Sequence, residues 1–473
     1  MTGEHPSTYQ KARRINLDAR IHGTFAEIGA GQEVARWFFH VGGAAATVAK
    51  TMSAYDMAVS DAIYGPSDRY VSRQRLQSML EYEYDLLMQR LREKRGRTTS
   101  FFVFADTVAA RSYGRPEEGH GWIGIRFQHE PLAVPSDMLL HVRLRDTENV
   151  REQEVLGILG VNVTYGAYYH HTDPVTLIGS LMDDLSGDRI EIDMMKLEGQ
   201  AFGHVDNRLV SLQLVEQGFT EAAMFTADGE VVQPGEVLHE KPVLIERGSF
   251  RPVTKPTIHM LRSAAAQFTA GLAAADGPPV AIMEMSLRNL FSGDHVDHKD
   301  FLARVDVLGA LGETVMISSY SAYYPVPGYL RRYTHKPLAF ALGVPILGAL
   351  FDEQYYADLP GGLLQAVGSL FQAGVRLYVY PMRDEDADVL TTVENLCVAP
   401  HLRHVYAHLV EGGLIVPIQN VNQDELYIRG RDALAKIQSG DSSWEAMVPE
   451  PAMRIIKVRQ LFRVRSATEP GGE

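Results

Sequence analysis

Val243-Leu244-Ile245-Glu246-Arg247-Gly248-Ser249-Phe250-Arg251-Pro252-Val253-Thr254 is the passage on which the fold turns. Its first residues are β-favouring and apolar, its middle holds a glycine, and a helical run over 257–274 follows with His259, Met260, Leu261 and Arg262. That order reads as strand, turn, helix. The alternation continues downstream with a strand at 280–285, a helix at 297–310, a strand at 314–318, a helix near 361–373 and a strand at 376–380. Repeated β/α units imply a mainly parallel sheet covered on both faces, with ligands outside the carboxyl ends of the strands.

Upstream, short apolar or alternating runs at 100–105, 121–127, 138–144, 160–169 and 189–194 read as strands, with helical spacing at 174–184 and 207–218. Residues 222–247 carry Asp228-Gly229 and Pro234-Gly235 turns and read as hairpin-rich. The first hundred residues read as mainly helical. Over 32–62 the small residues Gly42-Gly43-Ala44-Ala45-Ala46 suggest one buried helix, and 70–95 has Leu76, Leu80, Leu86 or Leu87, and Leu91 at a helical period. The polar run 92–99 sets a boundary. The expected division is a helical region at 1–98, a mixed α/β domain at 99–240, a nucleotide-binding-like β/α domain at 241–390, and a C-terminal helical segment at 391–473 with a flexible tail. The fold class is α/β, with mixed to parallel sheet layers behind a helical N-terminal region.

The 473 residues include 45 Lys+Arg against 59 Asp+Glu, a net charge of −14. Hydrophobic residues at 45% and charged residues at 22% are globular proportions. The acidic balance argues against a general nucleic-acid binder, which needs a basic surface for phosphate. No apolar run follows Lys11, Arg13 and Arg14, so no export signal is expected and the assignment is cytoplasmic. The apolar stretch 337–351 is broken by two prolines and two glycines and falls short of the roughly 20 residues of a membrane helix. The single cysteine, Cys397, excludes an internal disulfide and a multi-cysteine metal site, and reads as a buried inert thiol.

A glycine between strand and helix lets a phosphate approach the backbone, and amides at the helix start, with Arg251, Lys255 and His259 beside them, favour a polyphosphate. The run Gly248-Ser249-Phe250-Arg251-Pro252-Val253-Thr254 resembles the G-x-F-x-P-x-[HT] signature of nicotinate and nicotinamide mononucleotide adenylyltransferases. The resemblance implies adenylyl transfer from ATP, with Mg²⁺ as helper, to a nicotinic mononucleotide, releasing pyrophosphate. Gly248, Ser249, Phe250, Pro252 and Thr254 would shape the ATP site, and Arg251 and His259 would act on phosphate. The family's histidine three residues after the [HT] position is Thr257 here, with His259 two residues later. Its second signature, I-S-S-T-x-x-R, is represented by Ile317-Ser318-Ser319, with Tyr320 and Tyr323 in place of threonine and arginine. The motif covers about ten residues and lies half-way along the chain.

A second candidate is Asp294, His295 and His298. At i, i+3 and i+4 they would share a helical face, and two imidazoles with a carboxylate suit a transition metal. The plainer reading is a helix start capped by Ser292 or Asp294. A third is Glu27-Ile28-Gly29-Ala30-Gly31, similar to the first loop of Rossmann-type dinucleotide- or S-adenosylmethionine-binding proteins, with Asp56 as a ribose acid. The upstream residues 20–24 look poor as a strand, which favours a helix-entry turn. Tyr320, Tyr323, Tyr324, Tyr355, Tyr356 and the pair Arg331-Arg332 either line a pocket for a base and a phosphate or pack an interface. Glu191 and Asp193 share a strand face, as a magnesium pair or as the wet side of an edge strand. His170-His171 and His401, His404 and His408 complete the titratable clusters.

The expectation is a nucleotide-binding enzyme, a nucleotidyltransferase on a small-molecule nucleotide, acting as a homo-oligomer. The alternatives are a metal-dependent enzyme at Asp294, His295 and His298, and a non-catalytic oligomeric scaffold.

Overall fold

A nine-residue strand, β1 (Ile21–Gly29), stands near the start of the chain, inside the region read as mainly helical. In the computed structural model, which describes residues 5–111, 118–384 and 389–463, the chain divides into two units, Met1–Glu221 and Ala222–Glu473.

In the first unit β1 lies between β2 (Val48–Ser53) and β3 (Ser100–Ala109) and runs parallel to both. The strands β4 (His120–Phe127), β5 (Ser136–Leu144) and β6 (Ile190–Glu198) extend the sheet antiparallel, in the order β2-β1-β3-β4-β5-β6. The helices are α1 (Thr8–Leu17), α2 (Glu33–His40), α3 (Ala44–Thr47), α4 (Met57–Tyr64), α5 (Arg73–Arg95), α6 (Asn149–Tyr169), α7 (Pro174–Ser180) and α8 (Asn207–Glu216). One sheet face buries Phe25, Phe102 and Phe104 with Val34 and Phe38 of α2 and Leu156 and Leu159 of α6.

Two expectations are corrected here. The helix read over 32–62 breaks into α2, α3, β2 and α4, because Gly42 and Gly43 both hold positive φ, where a helix must stop. The strand read over 160–169 is the second half of α6. Its residues are buried nearly without interruption from Val155 to Ala167, so no polar face marks the helical period and an apolar run reads equally as strand. Gly160 is what lets α6 settle, since an added Cβ would stand 2.4 Å from a methyl of Val34. Gly160→Ala is therefore expected to lose about 1–3 kcal/mol of stability through overpacking, read as a lower denaturation midpoint with an unchanged far-UV spectrum.

The second unit carries the quoted passage. The short pair β7 (Ala222–Phe225) and β8 (Val231–Val232) leads through α9 (Pro234–Leu238) into β9 (Val243–Arg247). Then come α10 (Lys255–Ala270), β10 (Val280–Ser286), the two-strand ribbon β11 (Phe291–Ser292) and β12 (His295–Val296), α11 (His298–Ala310), β13 (Thr314–Ser318), α12 (Val326–Leu330), β14 (Leu338–Gly343), α13 (Val344–Leu350), α14 (Gly362–Leu370) and β15 (Arg376–Tyr380). A second ribbon, β16 (Met382–Asp384) with β17 (Val389–Thr391), precedes α15 (Arg403–Glu411), β18 (Ile415–Pro417), α16 (Gly430–Ser439) and α17 (Glu450–Arg459).

The main sheet has the order β18-β15-β14-β9-β10-β13-β7-β8, and its six strands from β18 to β13 are parallel. Numbered along the chain, those six stand as 6-5-4-1-2-3. This is the doubly wound arrangement, and its order reverses between β9 and β14. Strand β14 was not singled out in the sequence; it forms the start of the apolar stretch 337–351. Among the described residues no helix is long and apolar enough to cross a membrane.

Candidate functional site

Because the chain leaves β9 first toward β10 and later returns to β14 on the other side, the loops after these two strands diverge at their carboxyl ends, the place where doubly wound sheets bind ligands. The Gly248 turn follows β9 directly. Gly248 N–H donates to the carbonyl of Glu284 (3.1 Å). An added Cβ there would lie 2.7 Å from the Phe250 ring, and Phe250 is itself buried with a φ of 49°. The space freed by the glycine is thus filled by the turn's own phenylalanine.

The rest of the turn is held from α11. Arg251 Nε lies 2.6 Å from Asp300 Oδ1, Arg304 pairs with the other oxygen of Asp300, and Arg304 Nη1 donates to the Ser249 carbonyl (2.9 Å). Arg251 is the exposed member of this trio, with 40% of its side chain open to solvent against 3% for Arg304. Pro252 and Thr254 are buried. Thr254 stands at the N-cap position of α10, its hydroxyl 3.0 Å from that of Thr257 rather than on a helix amide. Two first-turn positions of α10 offer an anion no amide: Lys255 N–H donates to the Met447 carbonyl (3.0 Å), and Pro256 has none. One turn on, His259 Nδ1 sits 3.0 Å from the hydroxyl of Tyr380, the last residue of β15. Burial pushes the Tyr380 hydroxyl above its usual pKa, and the direction of its bond with His259 follows the imidazole tautomer.

Beside the turn lies a cluster that the sequence reading missed. Arg247 reaches both oxygens of Glu284 on β10 (2.5 and 2.6 Å), and Ser318 on β13 donates to the same carboxylate (2.5 Å). Arg247 also donates to the Ala322 carbonyl (2.8 Å) and stacks over Tyr323 at 4.8 Å. The carboxyl ends of three adjacent strands are tied by one buried charge pair. The signal was present, since Arg247 and Glu284 each interrupt an apolar strand, where a lone charge is costly and calls for a partner. Residues 318 and 323 both reach this charge pair, Ser318 through Glu284 and Tyr323 beneath Arg247.

On the opposite face of β9, Glu246 is fully buried with one carboxyl oxygen lacking a hydrogen-bond partner. Burial, reinforced by Glu313, holds its pKa well above the carboxylate range.

Asp294, His295 and His298 are placed apart from one another in role. Asp294 and His295 are exposed at the tip of the β11–β12 ribbon, and His298 opens α11. Among the described residues no group of three or more His, Cys, Asp or Glu is arranged to hold a metal. The helix cap is neither Ser292 nor Asp294 but Asp297, which accepts from the amides of Lys299 and Asp300 (3.1 and 3.0 Å).

Several of the remaining candidates are engaged in packing or pairing. Tyr320, Tyr323 and Tyr324 pack against the core of the second unit. Glu191 and Asp193 are not a wet face: both are buried, Glu191 on Arg145 (2.7 Å) and Asp193 on His141 (2.6 Å). His401 pairs with Glu353 (2.8 Å). Cys397 is exposed rather than buried. In the first unit, residues 20–24 do feed a buried strand, and β1 leads through Gly29 and Gly31 into α2. Asp56 there caps α4.

No family model matches the chain, and no curated protein matches it. Solved structures of competence- and damage-inducible proteins are similar to about a third of it. One from Agrobacterium tumefaciens, CihA, is 18% identical with a TM-score of 0.26, covering 35% of this chain and 99% of that one. One from Enterobacter asburiae is 10% identical with a TM-score of 0.25, covering 34% and 99%. A CinA superfamily protein from Enterobacter cloacae is 12% identical with a TM-score of 0.23, covering 35% and 92%.

Proposed function

We propose that the second unit binds a nucleotide at the Gly248–His259 turn and transfers a nucleotidyl group, with ATP as donor and a nicotinic mononucleotide as acceptor, in a cytoplasmic enzyme. The observation that carries this reading is the 6-5-4-1-2-3 strand order, which sets that turn at the one point where the sheet reverses. In the transfer, a phosphate oxygen of the acceptor attacks the α-phosphorus, the bond to the bridging oxygen breaks, and pyrophosphate leaves. Such chemistry asks chiefly for positioning and charge stabilisation.

Arg251, exposed at the turn, exchanges Asp300 for the polyphosphate, while Arg304 keeps Asp300 neutralised. His259, oriented by Tyr380, meets the same phosphates. Glu284 and Asp300 are both engaged by arginines; Mg²⁺, brought with the nucleotide, would supply charge neutralisation on the polyphosphate.

The test is a thermal unfolding series with ATP and Mg²⁺, followed by a pyrophosphate-release assay with nicotinate mononucleotide. ATP at 100 times its dissociation constant stabilises the native state by about 2.7 kcal/mol. Arg251→Ala and His259→Ala are each expected to weaken ATP binding about tenfold or more with the unliganded midpoint preserved. An equal ATP response in wild type and both variants would remove the turn as the site, and no pyrophosphate release would remove the transfer.

A further inference from the structure

At the opposite end of the same sheet, a pocket of about 200 Å³ opens where β14 and β15 begin, lined by Phe268, Leu272, Arg331, His335, Leu338 and Arg376. It lies a strand length, roughly 15–20 Å, from the Gly248 turn. We propose that this pocket binds a phosphate group, as the free ion or as a small phosphomonoester.

The argument is one of uncompensated charge. Arg331 is fixed in place by donating Nη1 to the carbonyls of Lys336 (2.6 Å) and Thr334 (3.3 Å), and its buried Nε has no hydrogen-bond partner. Dipoles of carbonyls hold it, with no carboxylate among its described partners. Burial alone shifts its pKa, downward, and no acid offsets that shift.

Arg376, the first residue of β15, has no ion pair among the described residues, and Gly271 makes room for its guanidinium, which lies 3.3 Å from where a Cβ would stand. His335 adds an imidazole to the rim, and no Asp or Glu is among the lining residues. The acid beside it, Asp276, is taken by Lys336 (3.1 Å). Two guanidiniums thus line a concave, partly apolar pocket without an acid among its lining residues, Arg376 reaching it from the exposed rim, a setting that favours an anion. A tetrahedral oxyanion fits, because arginine forks donate paired hydrogen bonds to phosphate oxygens. The apolar wall of Phe268, Leu272 and Leu338 leaves room for the carbon side of an ester.

Isothermal titration of the full chain with inorganic phosphate, at ionic strength held constant with chloride, is expected to show one phosphate per chain outside the Gly248 turn. Arg376→Gln should weaken it at least tenfold, and Leu272→Glu, which sets a negative charge against the pocket, should abolish it. Arg251→Ala should leave it unchanged, which separates this site from the proposed nucleotide site. Methyl phosphate binding more tightly than phosphate assigns an ester, and the reverse assigns the free ion. Absence of phosphate binding in the wild type, or undiminished binding in R376Q or L272E, overturns the proposal.

Discussion

Replacing Glu284 by alanine is expected to cost about 3–5 kcal/mol, among the largest effects of any single change in the second unit. The carboxylate is fully buried, and its removal strands the Arg247 guanidinium, only 6% exposed, with one carbonyl and one aromatic face for company. Ser318 loses its acceptor at the same stroke. The loss comes from an unmatched buried charge rather than from missing attraction, so the pair replaced together should behave differently. Arg247→Met with Glu284→Met removes both charges, keeps the volume, and is expected to recover most of the stability. Hydrogen exchange at β9, β10 and β13 reads the unit directly, and the single variant should lose protection there while β1 and β3 keep theirs. A single-variant loss below about 1 kcal/mol would show that the cluster is solvated and not a structural tie. A double variant as unstable as the single would show that the charges themselves are needed.

That cluster marks where reading the sequence stops. The β/α alternation after Val243 was legible because strands of four to six β-favouring residues alternate with amphipathic helices, and the strands at 314–318 and 376–380 have the bounds seen in the structure. Strand β14 was not, since residues 338–351 are apolar through a strand and the following helix alike, and no change of period separates them. Without β14 the sheet order cannot be written, and without the order nothing says that the Gly248 turn sits at the reversal. The site was legible as a turn with cations nearby. That Met447 occupies an amide at the helix start, or that Phe250 fills the glycine's space, depends on contacts made from almost 200 residues away or by a φ of 49°, and local propensity carries neither. In the first unit the reverse holds: the glycines at 29 and 31 are legible, while β1 is not, because Arg20, His22, Gly23 and Thr24 leave its start without an apolar run. Gly23 is there because an added Cβ would stand 2.2 Å from the Phe102 carbonyl, a constraint imposed by the neighbouring strand.

The same loop leads to the second large expectation, a loss of stability of the first unit as pH rises. Glu27 and Asp106 stand opposite each other on the parallel strands β1 and β3, and both are buried, at 2% and 1% exposure. Burial pushes Glu27 up to about 8, with Glu33 adding to the rise and the Ala35 amide, which donates to its carboxyl (3.2 Å), opposing it. Burial also holds Asp106 well above its usual range, and the Glu27 carboxyl adds to that. Gly31 packs against Asp106 so closely that a Cβ would fall 1.9 Å from Oδ2. Glu27 keeps its proton in the fold and is ionised in the unfolded chain at neutral pH, so the unfolded state binds fewer protons. Stability then falls as pH rises from the ordinary carboxylate range, near 4.5, to about 8, by up to ~1.4 kcal/mol per pH unit for Glu27 alone. Above that window the contribution is flat, and below it the full stability is present. In a Trp444→Phe background, the remaining tryptophans, Trp37 and Trp122, report the first unit. Urea denaturation followed by their fluorescence at pH 5, 6.5 and 8 is expected to show the midpoint falling steadily. Glu27→Gln keeps the acceptor for the Ala35 amide but has no proton to lose, so its curve should be flatter and its advantage over the parent should grow toward pH 8. Identical slopes in parent and variant would mean that Glu27 is already ionised in the fold, and that a cation or solvent reaches the pair.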